Sequence, residues 1–282
     1  MTALDLGPCP FPSDYLKGVG ALVTGGGSGL GQGIAGGLAA CGAHVVVVGR
    51  RPEALAETVA EIRLQGGRVD ALTCDVRQPN SVADVVAEAE RLTGRLGVLV
   101  NNAGATFTVP TEDLTANGFR AVVETDTFGT FYMCQEFGKR VIAKNDSAAI
   151  LNITSTAPMT GNPGRIHGGV GKAGVESITK SLAVEWGRYG IRVNSLAPGY
   201  TPTAGVNKAT KVGGDAAIEE QRLASSVPLG RVGKVQDIVW PAVFLVSPAA
   251  AFVNGASLVV DGGKWLSSGR GVDGLAGVAA PS

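Results

Sequence analysis

The stretch GALVTGGGSGLG, Gly20 to Gly31, decides the fold. Its first five residues form a short apolar run, and a segment with helical character follows the last glycine. A strand that ends in a tight glycine turn and continues as a helix brings backbone N–H groups and the positive helix end to one point, which suits a pyrophosphate. Gly25, Gly29 and Gly31 allow the sharp turn and the close approach, and Ser28 and Leu30 lie on the same turn.

Outward from this turn, short apolar runs rich in valine and isoleucine recur at His44–Val48, Arg68–Cys74, Gly97–Asn101, Ala148–Ile153, Ile191–Leu196 and Ser257–Val260. Continuous apolar runs without alternation predict strands covered on both faces. Between them apolar residues fall at helical spacing, as at Leu55, Val59 and Ile62 and again at Val82, Val85 and Val86. Alternating strands and helices predict an α/β fold, a single-domain doubly wound parallel sheet of about seven strands. The expected domain spans residues 17–266, with an N-terminal extension over 1–16 and a Gly/Ala-rich tail over 267–282. Pro198 to about Gly214, rich in Gly, Thr and Pro, reads as a lid at the C-terminal sheet edge.

Composition excludes several classes. Hydrophobic residues make up 45% of the 282 and charged residues 17%, enough apolar surface for a globular core. Lysine plus arginine (24) equals aspartate plus glutamate (24), so no net field draws the chain to nucleic acid or an anionic membrane. The 42 glycines suggest many strand-to-helix turns. Cys9, Cys41, Cys74 and Cys134 are far apart and carry no CxxC pair, which points to neither a disulfide framework nor a metal site and fits a reducing compartment. With no signal-like start, no long apolar run and no SKL-type ending, a cytoplasmic location is expected.

The second strand leads into Gly49-Arg50-Arg51, where a site preferring NAD would carry a carboxylate for the ribose hydroxyls. Arginine there favours the 2′-phosphate of NADPH. Asp75-Val76 follows the third strand and Asn101-Asn102-Ala103-Gly104 the fourth, both at strand ends where open α/β sheets bind ligands.

TGGGSGLG, CDV (Cys74–Val76), NNAG (Asn101–Gly104), Ser155, Lys172 and RVNSLAPG (Arg192–Gly199) together resemble the short-chain dehydrogenase/reductases over about Lys17 to Leu266. The resemblance implies a nicotinamide cofactor, with Asp75, Val76, Asn102, Ala103 and Gly104 around its adenine half and Thr203 near the carboxamide. Pro198 and Gly199, closing RVNSLAPG, count among the cofactor contacts it implies. Lys172 would bind the nicotinamide ribose and lower the cost of nearby negative charge.

In that family a tyrosine four residues before the lysine donates the proton. Here that position is Gly168, and the family's upstream asparagine position is Asp126. Within the family, the peroxisomal-type 2,4-dienoyl-CoA reductases share this combination, and the chain resembles them in GGGSGLG, DTFGTF (Asp126–Phe131), IHGGVGKAGVESITKSLAVEWG (Ile166–Gly187) and DGGKWL (Asp261–Leu266). The resemblance gives Asp126, Lys172 and Asp261 the task of holding a proton-donating water, with an acyl-CoA as the substrate. Ser155 is positioned to hydrogen-bond a substrate carbonyl. His167, beside the glycine, is an alternative acid, but helical geometry is expected to turn its side chain away from the site. Two other readings stay open: a carbonyl reductase or alcohol dehydrogenase with an atypical proton donor, and a protein that binds nicotinamide nucleotide without turnover. The apolar helical stretches Phe119–Val141 and Val175–Trp186 point to a homotetramer.

Overall fold

The computed structural model describes residues 5–203 and 216–267. Seven strands form one sheet: β1 (Gly20–Thr24), β2 (His44–Gly49), β3 (Arg68–Thr73), β4 (Leu96–Asn101), β5 (Ala148–Ile153), β6 (Ile191–Pro198) and β7 (Ser257–Val260). Their spatial order is β3-β2-β1-β4-β5-β6-β7, and every neighbouring pair is parallel. The expected doubly wound sheet is present, its strand positions within a residue or two of those read from the apolar runs. Helices α1 (Gly29–Ala40), α2 (Pro52–Leu64), α3 (Pro79–Thr93), α4 (Ala116–Val123), α5 (Gly129–Ala143), α6 (Ala157–Thr160), α7 (Ile166–Trp186), α8 (Ala216–Ser225) and α9 (Val235–Val246) make the crossovers.

Side chains of one strand alternate between the two faces, and the two cores follow that period. Val23, Val45 and Val47 join α1 and α9 on one side. Leu22, Val46 and Val48 join α3 and α5 on the other. Burial on both faces holds for the central strands but not for the edges: only Val69 of β3 is buried, and β7 is half-buried throughout. An edge strand has a neighbour on one side only, so β3 alternates where a central strand would not.

The glycines serve packing as well as turns. A Cβ on Gly37 would lie 2.3 Å from Val239 Cγ1, and one on Gly33 the same distance from Val235 Cγ1, so α1 and α9 touch nearly backbone to side chain. Gly138 likewise makes room for the Trp186 ring. The stretch Phe119–Val141 is not one uniform helix. Between α4 and α5 the chain makes a wide π-type turn over Glu124–Phe128. Such turns insert one residue into a helix and often mark functional positions.

The extension is anchored from residue 5 onward, with Leu6 and Leu16 in the core, whereas the tail after Ser267 lies outside the described residues. Most of the expected lid, 204–214, lies outside them too. No described helix is long and apolar enough to cross a membrane.

Replacing Gly37 by valine forces α1 away from Val239. Chemical denaturation should show Gly37→Val less stable by about 1–3 kcal/mol, the usual cost of overpacking a tight contact.

Candidate active site

The C-terminal ends of β1 and β4 are stitched together by Thr24. Its hydroxyl accepts the N–H groups of Asn102 and Ala103, each at 3.0 Å. The Asn102 amide in turn donates to the carbonyls of Thr24 at 3.0 Å and Gly25 at 3.2 Å. Gly25 and Gly29 both hold positive φ (64° and 58°). A Cβ on Gly31 would lie 2.3 Å from the Gly25 carbonyl, so the turn closes only without side chains. Ser28 N-caps α1 with no side-chain hydrogen bond, and no acidic residue occupies the first turn. The leading N–H groups of α1 therefore lack a capping side chain and face the sheet edge, a donor set suited to a diphosphate. Thr203 borders the same turn, its side chain 3.3 Å from where a Gly29 Cβ would sit.

At the end of β2, Arg50 and Arg51 are exposed, Arg51 also being the N-cap of α2. Asp75, after β3, is already held: Arg77 Nε donates to its two carboxylate oxygens at 3.0 and 3.1 Å. That guanidinium keeps the Asp75 carboxyl below the usual range. Sequence reading missed Arg77, although a cation two residues after an aspartate in a loop is a visible pairing signal. Val76 is buried against Gly129 at the start of α5.

The catalytic candidates on the other side of the crevice come from three elements. Lys172, on α7, donates to the Ile153 carbonyl at 3.0 Å and lies 3.6 Å from Asp126 Oδ2. Asp126 sits in the π turn, 1% exposed, and its Oδ1 accepts the Ala105 N–H at 2.8 Å. Gly171 presses against Asp126, and a Cβ on Gly104 would lie 3.2 Å from both the Asp126 carboxylate and the Lys172 ammonium. Two glycines thus let α7 and the β4 loop close on this ion pair. Thr127 fixes the turn by donating to the Gly171 carbonyl at 2.9 Å. Burial pushes the Asp126 carboxyl upward against the opposing pull of Lys172 and the Ala105 N–H.

Behind these groups runs a buried polar ladder. Asn101 donates to Cys134 Sγ at 3.2 Å and to Asn152 Oδ1 at 2.9 Å. Asn152 donates to Thr179 at 2.9 Å, and Thr179 to the Val175 carbonyl at 2.8 Å.

Gly168 occupies the position of the family tyrosine, and the atom nearest its missing Cβ is Thr106 Oγ1 at 3.3 Å. No described phenol stands there in its place. His167 is fully buried, stacked on Phe107 with ring centroids 4.3 Å apart. It lies one helical turn before Gly171, on the same face of α7, which corrects the expectation that it turns away. Neither ring nitrogen has a hydrogen-bond partner, the Phe107 backbone being close but outside bonding geometry. Burial lowers its basicity and favours the neutral ring.

Ser155 follows β5, its hydroxyl accepting the Ala157 N–H at 3.3 Å. Asp261 behaves as a turn former. Its carboxylate accepts the N–H groups of Gly263 at 2.9 Å and Trp265 at 2.7 Å, capping a short helical turn over Lys264–Leu266. No described contact joins it to Asp126 or Lys172. Pro198 ends β6, and Gly199 passes so close to Asp261 that a Cβ would lie 2.6 Å from the Asp261 Cβ. An apolar cavity of about 210 Å³ opens beside this crossing, reaching Tyr200, Leu223 and Val227.

The strand order, the glycine turn and the serine and lysine places define an oxidoreductase of the nicotinamide-dependent Rossmann class. More particularly, the chain belongs to the short-chain dehydrogenase/reductase family: the family model described as enoyl-(acyl carrier protein) reductase matches residues 25–264. A Bacillus subtilis (strain 168) protein named as a probable 2,4-dienoyl-CoA reductase is 40% identical over 251 residues, covering 87% of this chain and 96% of its own. A peroxisomal 2,4-dienoyl-CoA reductase of Arabidopsis thaliana is 37% identical over 269 residues, 93% of this chain and 89% of its own. Among solved structures, a gluconate 5-dehydrogenase from Burkholderia cenocepacia J2315 in complex with NADP and tartrate superposes with a TM-score of 0.82 at 34% identity, covering 89% of this chain and 97% of that one.

The raised carboxyl of Asp126 has a consequence for stability. Its folded-state affinity for the proton exceeds that of the unfolded chain, so its contribution is complete in acid and is lost as pH rises through the folded value. Asp126→Asn, which keeps an oxygen for the Ala105 N–H, should melt higher than the parent at pH 7. The difference should shrink as pH falls toward the ordinary carboxylate range, as thermal melts across pH would record.

Proposed function

We propose that the chain reduces a conjugated acyl thioester, of the 2,4-dienoyl-CoA or enoyl-CoA type, with NADPH and with water as the proton source. The observation that carries this reading is the pairing of Lys172 with a buried Asp126 where Gly168 replaces the proton-donating phenol. The names of the relatives from Bacillus subtilis and Arabidopsis thaliana support the same substrate class. A bound nicotinamide dinucleotide supplies the hydride.

In this reading the glycine turn and the N-terminus of α1 bind the diphosphate, Arg50 and Arg51 hold a 2′-phosphate, and Val76 with Asn102–Gly104 lines the adenine half. Asp75, held by Arg77, flanks the same end of the site. Pro198, Gly199 and Thr203 border the nicotinamide half. The Lys172 ammonium binds the ribose hydroxyls and offsets negative charge that develops on the thioester oxygen, and the Ser155 hydroxyl hydrogen-bonds that oxygen. Asp126, through Oδ2 beside the ammonium, orients a water that delivers a proton to carbon. Asp261 is a positioning residue that shapes the turn over the crevice. Hydride addition to a conjugated thioester leaves an extended enolate that oxygen hydrogen bonds stabilise, whereas ketone reduction leaves an alkoxide that needs a close, strong acid. The absence of the phenol is thus tolerable for the first reaction and damaging for the second.

The carbonyl-reductase alternative requires another acid, and His167 with its unpaired ring nitrogens is the group that would serve. For the assembly we propose a homotetramer, built on the exposed Phe128 at the end of the π turn, Phe131 on α5, and Val170 and Val184 on α7.

A panel of dienoyl-CoA, enoyl-CoA and ketone substrates, followed by NADPH loss and product mass, tests the assignment. Dienoyl-CoA should be consumed, and nucleotide binding without turnover of any substrate would refute it. Asp126→Ala should slow dienoyl-CoA reduction by ~10²–10⁴ with NADPH binding retained, and Lys172→Ala should lose both rate and cofactor affinity. A His167→Ala variant that folds but is inactive, alongside an active Asp126→Ala, would make the histidine the acid.

Coenzyme choice is tested separately. Arg50→Ala should bind NADPH about ten- to a hundredfold more weakly, the loss of a charge-assisted contact worth ~1.5–3 kcal/mol, with NADH affinity unchanged. Equal use of NADH and NADPH by the parent would contradict it.

A further inference from the structure

We propose that Cys9 and Cys41 form a reversible disulfide site that fastens the N-terminal segment to the end of α1. The two sulfurs lie 3.7 Å apart although 32 residues separate them in the chain. Cys9 is exposed, its thiol donating to the Phe11 carbonyl at 3.3 Å, whereas Cys41 is buried at the C-cap of α1.

The approach is imposed from both sides. Leu6 before Cys9 and Leu16 after it are buried in the core. Phe11 stacks on Tyr15, with centroids 5.3 Å apart, and leans on Trp240 of α9. The Leu16 N–H donates to the Cys41 carbonyl itself at 2.7 Å, and a Cβ on Gly42 would lie 2.8 Å from the Ser13 carbonyl. The segment therefore holds Cys9 over Cys41 without a covalent link, and a bond of about 2.05 Å needs the sulfurs to close by less than 2 Å. The other two thiols have no such neighbour: Cys74 accepts from Ser81 and Cys134 from Asn101, both in the core on the other sheet face.

The oxidant is a low-molecular-weight disulfide. The exposed Cys9 thiolate attacks one of its sulfurs, a mixed disulfide forms and one small thiolate leaves. Cys41 then loses its proton to solvent, attacks the Cys9 sulfur and expels the second small thiolate. Two protein thiols are oxidised and one small disulfide is reduced to two thiols. Burial pushes the Cys41 thiol up to about 12, so the second step accelerates with alkalinity.

Incubating the full-length protein with oxidised glutathione, then counting thiols under denaturing conditions and mapping peptides without reductant, tests the proposal. Free thiols should fall from four to two, with a Cys9–Cys41 linked peptide, faster at pH 9 than at pH 7. The oxidised protein should melt several degrees higher, and dithiothreitol should reverse the change. Cys9→Ser should keep its three thiols free and show no shift in melting, and Cys41→Ala should stop at a glutathione adduct on Cys9. A parent protein that carries only that adduct, or that pairs Cys74 or Cys134 instead, would overturn the assignment.

Discussion

The closeness of β1 to β4 is the constraint on which the rest of the molecule hangs. These strands are neighbours in space but separated in sequence by β2 and β3, so the chain leaves them toward opposite flanks of the sheet. A crevice must open between the outgoing connections. The Thr24 hydroxyl spans its floor by taking two N–H groups from the β4 loop, and the Asn102 amide returns the link to two carbonyls of the β1 turn. Side chains at Gly25 or Gly31 would collide with Asn102. The same absence of side chains that permits this seam also bares the first N–H groups of α1, so the stability of the seam and its capacity for an anion are one arrangement.

Across the crevice, a buried carboxylate and a half-buried ammonium are held 3.6 Å apart by groups that ask nothing of solvent. Asp126 is fixed by the Ala105 N–H and Lys172 by the Ile153 carbonyl, so the loop after β4 and the last residue of β5 both set the geometry of the pair. The π turn is what brings Asp126 inward, since the extra residue shifts the helical phase between α4 and α5.

Much of this was legible in the sequence. Apolar runs located the strands, and glycine spacing located the tight turn between β1 and α1, because both are dictated by local backbone needs. Gly168 and Asp126 stood out against the family pattern without any coordinates. The π turn was not legible, since nothing in ETDTF distinguishes it from an ordinary helix. Asp261 received its part in holding a water from the family resemblance, and nothing in VVDGG revealed that its oxygens also cap the Lys264–Leu266 turn, an arrangement decided by two N–H groups that only the folded loop brings near. His167 was misjudged for a related reason. Helical angles placed it relative to Gly168, but its burial depends on Phe107, far away in sequence. The cysteine spacing, equally, gave no hint that an anchored extension would lay Cys9 over Cys41.

The ladder from Asn101 to Thr179 has a sense of travel. Asn101 spends both amide hydrogens forward, on Cys134 and Asn152, leaving its own oxygen without a partner, while Thr179 passes its hydrogen on to a helix carbonyl. Turning any one amide over would set oxygen against oxygen or N–H against N–H, so no member can reverse alone. β4, β5 and α7 are thereby keyed at one height by a one-way chain of donors, and a slip of any of these elements along its axis breaks the sequence of handovers rather than a single bond.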